Sequence, residues 1–303
     1  MTYAIEQGER IAEAIPRIIL ERIAAAAEQL SDDASAPEDR VHDARKRFKE
    51  IRAALRLIRE PLGEHFEQEN AWFRELGHEL ALLRDTDAII EAVDALTDRA
   101  EGFHERRVIR SLRRRLHRAR RQLRQLGTSP PIDEVVNQLP IAKARVTLWP
   151  PLPDLFSTIA PGLHRTYGDG RRAFHQAHEN PSPERLHEWR KRVKDHWYHA
   201  QILRHADPSF MKPYREQLEQ LSAALGDRHD LDVLRSRVAP TLDSRDERVL
   251  AAILDRRSAE LTGTALILGN TIYSDRPRVR LTQIESACLG SDSAAKGVSE
   301  TGT

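Results

Sequence analysis

The sequence predicts an all-α protein: two pseudo-symmetric antiparallel helical bundles of about four helices each, built from an internal repeat. Three observations predict it. Apolar residues recur at helical spacing through most of the 303 residues, and convincing strand alternation is absent. Hydrophobic residues make up 40% and charged residues 31%, a balance that suits long amphipathic helices with one wet face. Finally, one stretch returns 145 residues later with the same chemistry in the same order.

The first clear helix covers 39–60. Val41, Ala44, Phe48, Ile51, Leu55 and Ile58 form its apolar seam. A second stripe, His42, Arg45, Lys49, Arg52, Arg56 and Arg59, follows one residue behind, about 100° round the helix. A basic row that flanks a buried seam lines a groove between helices; Asp43 and Glu50 are expected on the far side. For a lone helix, a solvated face of snorkelling Lys and Arg is the simpler reading. A second copy of the row in a chain of net charge +1 favours the groove.

The next strong helix covers 105–126, with Ile109, Leu112, Leu116, Ala119, Leu123 and Leu126 as its seam. Between Arg106 and Arg124 it carries ten arginines, His117 and no acid. Like charges at i and i+4 destabilise a helix. Either a bound anion or acids on neighbouring helices must offset them, and both readings stay open. Prolines then crowd together at 130, 131, 140, 150, 151 and 153. Helices stop at such residues, so 128–158 is read as a connector.

The second half repeats the first. Leu186-His187-Glu188-Trp189-Arg190-Lys191-Arg192-Val193-Lys194 matches Val41-His42-Asp43-Ala44-Arg45-Lys46-Arg47-Phe48-Lys49 at an offset of 145 residues. Without a gap, the same offset sets Leu76 against Leu221, Leu80 against Leu225, Asp85 against Asp230 and Asp87 against Asp232. Two such copies place both basic helices around one groove. Trp197 and Gln201 stand where Arg52 and Arg56 stand, so the first half is expected to supply more of the charge. Ser291–Thr303 has no periodic apolar pattern and reads as a disordered tail.

Two copies of His-x-x-Arg-Lys-x-x-Lys, each followed some 35 residues later by Asp-x-Asp, resemble the CHAD family, the conserved histidine α-helical domain. Trp197-Tyr198, and Gly269-x-x-Ile272-Tyr273 with Pro277, are similar to its second half. The resemblance implies a single domain over 5–290, made of bundles over 5–127 and 159–290. It also implies a central basic cavity that binds inorganic polyphosphate. Some relatives carry a triphosphatase tunnel domain ahead of this one. No Glu-x-Glu-x-Lys motif occurs here, so that activity is not carried over.

The chemistry agrees. Polyphosphate is a flexible chain of closely spaced anionic oxygens, and binding it takes arginine forks and lysine point charges. The first basic row contains no aromatic ring of the kind a single-stranded nucleic-acid groove interleaves. The expected ligand residues are His42, Arg45, Lys46, Lys49, Arg52, Arg56, Arg114, His187, Arg190, Lys191 and Lys194. No catalytic residue, cofactor or metal is expected. A nucleic-acid or nucleoid-associated binder is the alternative. A metal phosphohydrolase using His187, His229, Asp230 and Asp232 is disfavoured, because His229 aligns with Arg84. The Asp-x-Asp elements are expected to cap helices and hold arginines. His175-x-x-His178 precedes a helix end and reads as a surface pair. With one cysteine, no run of some 18 apolar residues and no leader-like N-terminus, the expected location is the cytoplasm. Association with polyphosphate granules is left open, and no membrane partner is expected.

Overall fold

The computed structural model describes residues 2–80, 85–125 and 131–299, with side chains for all of these except 85–88, 123–125 and 290–299. Among the described residues all regular structure is helical. The first half holds α1 (Ile11–Leu30), α2 (Pro37–Leu57), the single turn α3 (Arg59–Leu62), α4 (Glu64–Glu79), α5 (Asp85–Thr97) and α6 (Gly102–Gln125). Then come α7 (Ile132–Val146), α8 (Ala160–Glu179), α9 (Pro183–Ile202), α10 (Pro208–Arg237), α11 (Ser244–Ile272) and α12 (Pro277–Ser299).

The helix starts follow local chemistry. Pro37 opens α2, with Glu38 and Asp39 in the first turn, where acids complement the helix dipole. Ser182 caps α9 by accepting from the Arg185 amide, ahead of Pro183. Asp243 caps α11 by accepting from the amides of Arg245 (3.0 Å) and Asp246 (2.9 Å).

The packing defines two lobes that share a continuous core. In one, α2 lies between α1 and α4, and α7 packs on α1. In the other, α8, α9, α10 and α11 pack in sequence and α12 covers α8. The lobes meet where α2 touches α8 and α9. At that junction a Cβ on Gly162 of α8 would run into the carbonyl of Leu57, so only glycine permits the approach. In the second lobe, Gly269 leaves room for fully buried Trp189: a Cβ there would stand 2.5 Å from the indole and 2.7 Å from the Phe174 ring.

Several expectations change. The stretch 128–158 contains α7, despite Pro140 inside it. Val135, Leu139, Ala142 and Val146 of α7 are buried, and packing this seam on α1 outweighs the backbone hydrogen bond that proline removes. Helices of the two halves also pack on each other directly, α5 on α10 and α6 on α11. The helix α12 runs to Ser299, across most of the expected tail; that stretch contains no proline to stop it. Asp230 and Asp232 cap nothing, because they lie inside α10, where Asp232 pairs with Arg228 one turn earlier. The side chains of Asp85 and Asp87, and Arg84, Leu123 and Leu126, lie outside the described residues.

Candidate polyanion groove

The seam of α2 is buried as its spacing predicts: Val41, Ala44, Phe48, Ile51, Leu55 and Ile58 are each at most 1% exposed. The basic row beside it stays accessible. His42, Lys46 and Lys49 are exposed, while Arg45, Arg52 and Arg56 are partly buried. Glu50 departs from expectation. It is buried against α1, with Arg47 at 3.0 Å and Arg22 at 3.6 Å, so this carboxylate is neutralised inside the lobe. A buried charge needs such partners.

On α9, Leu186, Trp189 and Val193 are buried and hold the helix on its neighbours. The polar stripe then presents His187, Arg190 and Lys194, with Lys191 exposed beside them and paired to Glu188 at 2.6 Å. Lys194 links the two basic helices electrostatically. Burial lowers its pKa, and the nearby charges of Arg190 and of Lys46 on α2 lower it further. Its ammonium lies 4.4 Å from the centroid of Trp197, a cation–π contact that anchors the side chain.

The helix α10 contributes His229, which the sequence grouped with His187 only in the disfavoured phosphohydrolase reading. His229 Nδ1 lies 3.2 Å from His187 Nδ1, with ring centroids 4.4 Å apart. Burial lowers the pKa of both rings. For His187 the charges of Lys191 and Arg190 add to it; for His229, Arg190 and His187 itself, bringing His229 to about 4. Arg190 runs over Gly226 of α10, whose Cβ position is 3.8 Å from its Nε. One signal could have found His229: the repeat offset sets it against Arg84, so both aligned positions carry basic side chains.

The C-terminal end of the α2 row has a different environment. Arg52 donates to Asn70 (3.1 Å), and its pKa falls to about 10 through burial first and then through Arg56. Arg56 donates to Asp195 of α9 (3.0 Å). Asp195 has its pKa raised by burial, against the pull of Arg56 and Arg52. Asn70, Arg56 and Asp195 border a cleft of about 180 Å³ lined also by Arg59, Arg165 and Arg192 and by Glu67 and Asp169. The expected row therefore divides into a cation-rich part near Lys46, Arg190 and Lys194 and a mixed-charge part near Asp195. Gln201 of α9 accepts from Arg215 of α10 (3.1 Å). Arg114 is not brought to this site by its packing; it is exposed on α6, whose neighbours are α5 and α11.

Among the described residues, no three His, Cys, Asp or Glu side chains gather as a metal site, and no helix is long and apolar enough to cross a membrane. His175 and His178 are both exposed at the end of α8.

The family model for the CHAD domain matches residues 17–239. The chain belongs to the CHAD family. The crystal structure of the CHAD domain from the plant Ricinus communis superposes with a TM-score of 0.57 at 17% identity, covering 89% of this chain and 93% of that one. At that identity the likeness establishes the CHAD fold. No curated protein matches the chain.

Proposed function

We propose that this CHAD protein binds inorganic polyphosphate, without catalysis, in the groove along α9, which packs on α2 and on α10. The observation that carries the reading is partly buried Lys194, held over Trp197 at 4.4 Å, whose pKa is lowered by burial first and then by Arg190 on α9 and Lys46 on α2, with Glu219 and Glu50 offsetting only part. Like charges held together in a partly buried site favour a multivalent anion, which relieves their repulsion. The ligand residues are Lys46, Lys49, Arg45 and His42 on α2, and His187, Arg190, Lys191 and Lys194 on α9, with His229 added from α10. Arg52 and Arg56 serve at the mixed-charge end. The cytoplasm, including polyphosphate granules, is the proposed location.

Binding by charge replacement releases counterions, so affinity should fall steeply with salt. Purified protein titrated with long-chain polyphosphate across a salt series should show a linear fall of log affinity with log salt. A flat response rejects the groove. Orthophosphate should bind weakly, since a single phosphate engages few donors. Duplex DNA of equal charge should compete poorly; equal competition would favour the nucleic-acid reading. Release of orthophosphate from the bound chain would contradict the absence of catalysis.

A further inference from the structure

The helix α6 carries basic charge that the groove does not absorb. Val108, Ile109 and Leu112 are buried, and the helix packs on α5 and α11. On the opposite side Arg106, Arg110, Arg114, Arg118 and Arg121 are all exposed, at steps of four, four, four and three residues. At the helical rise this row is about 22 Å long. Arginines at its flanks are tied to neighbouring elements: Arg107 to Asp246 (2.6 Å), Arg113 to Asp94 (2.6 Å) and Arg115 to the Thr241 carbonyl (3.2 Å). The outward row instead lies along its own helix. Arg110 Nε donates to the Arg106 carbonyl (3.1 Å) and Arg118 Nε to the Arg114 carbonyl (3.3 Å). Among the described residues no carboxylate pairs with these five arginines. The flanks thus answer the arginine excess with neighbouring acids, and the outer row does not.

We propose that the outer row of α6 is a second polyanion-docking surface, and that its occupant is inorganic polyphosphate, so that one molecule holds two chain segments at once. The proposal rests on polyphosphate being the ligand of the groove. Charge complementarity selects a polyanion. From Arg106 to Arg121 there is no Tyr, Trp, Phe, Asn or Gln; His117 within the row and exposed Phe103 at the start of the helix are isolated rings, not the interleaved series that stacks successive bases, and no amide is there to read base edges. The buried face of α6 is consumed by packing; among the described residues Phe103, at the start of the helix, is its one exposed large apolar side chain, and a single ring is not the apolar stripe that a lipid surface takes up. With a net charge of +1, the molecule as a whole does not condense polyanions by bulk attraction. Bridging has to come from two separate basic surfaces, and each chain bound at one raises the effective concentration at the other.

The test compares three proteins: the parent, a row variant (Arg110→Gln, Arg114→Gln, Arg118→Gln, Arg121→Gln) and a groove variant (Lys46→Gln, Arg190→Gln, Lys194→Gln). A short polyphosphate, too short to span both surfaces, is titrated calorimetrically, and light scattering follows mixtures with long-chain polyphosphate. The parent should bind short chains at two classes of site and scatter strongly with long ones. The row variant should keep the groove class within about twofold and lose scattering roughly tenfold. Replacing four exposed arginines relieves repulsion in α6, so folding is expected to survive; the pair Arg114→Glu, Arg118→Glu repeats the test with fewer changes. A single class of site in the parent overturns the proposal. So does a row variant that scatters as the parent does, or one that loses groove affinity as well, which would make the row part of the groove. A row that loses duplex DNA binding but no polyphosphate binding also overturns it. A groove variant with unchanged short-chain binding would instead reject the groove reading.

Discussion

The His187–His229 pair makes the residue-scale case for a site whose charge depends on its ligand. Two Nδ1 atoms 3.2 Å apart share at most one proton, and both rings sit near Arg190. In the empty protein His229 titrates at about 4, and His187 is lowered from 6.5. Glu188 and Asp232 pull His187 the other way but do not reverse the shift. A bound polyanion favours the protonated rings and raises both values. Binding therefore takes up protons between the free-state and bound-state pKa values. Affinity should rise as pH falls through the bound-state value and level off below the free-state value, by at most about tenfold per pH unit for each proton taken up. The measurement is polyphosphate affinity from neutral pH to about 5 for the parent and His229→Gln. The slope should flatten in His229→Gln. Parent and His229→Gln profiles of equal slope would show that the pair does not titrate with the ligand.

At the scale of elements, helix contacts are set by glycines whose value depends on what faces them. Gly269 sits under Trp189 and Phe174, so Gly269→Ala forces fully packed rings apart and should cost about 1–3 kcal/mol. Gly263, two turns earlier on α11, is exposed, with nothing within 4 Å of its Cβ position. Gly263→Ala should stabilise by about 0.5–1 kcal/mol through helix propensity. Denaturant midpoints of the two variants should move in opposite directions; a shared direction would mean that packing around Trp189 is loose. Such contrasts mark the limit of what sequence shows. The seams of α2 and α9 were legible because apolar spacing reports burial directly. The helix α7 was hidden by Pro140, since the sequence gives the local cost of a proline but not the gain from packing on α1. The partners of α5 and α6 were hidden as well, because a seam says that a face is covered and not by which helix. Glu50 was misplaced for the same reason: helical angle put it away from the seam, and α1 covers that side too.

Across the whole molecule, near-zero net charge conceals segregation, and the acids decide which cations remain available. The sequence made the two basic rows visible and ranked the first above the second, since Trp197 and Gln201 shorten the latter. The fold alters that ranking. Arg56 is paired with Asp195 and Arg52 is bonded to Asn70, whereas the pKa of partly buried Lys194 is lowered by burial and then by Arg190 and Lys46, with Glu219 and Glu50 offsetting only part of the shift. A cation already neutralised by a carboxylate releases few counterions when an anion arrives, and breaking its ion pair offsets part of the gain. Each lost phosphate contact lowers the slope of log affinity against log salt by roughly 0.7–0.9 on nucleic-acid chains, and the same logic extends to polyphosphate. The variant Lys46→Gln, Arg190→Gln, Lys194→Gln should therefore reduce the slope by roughly 2. The variant Arg52→Gln, Arg56→Gln should reduce it by less than about 1, although the sequence alone ranks that end of the row higher. Helical content must match the parent in both, because arginine stems also contribute packing. An equal loss of slope in the two variants would show that Asp195 surrenders Arg56 to the ligand, and that the mixed-charge cleft belongs to the binding surface as fully as the cation-rich one.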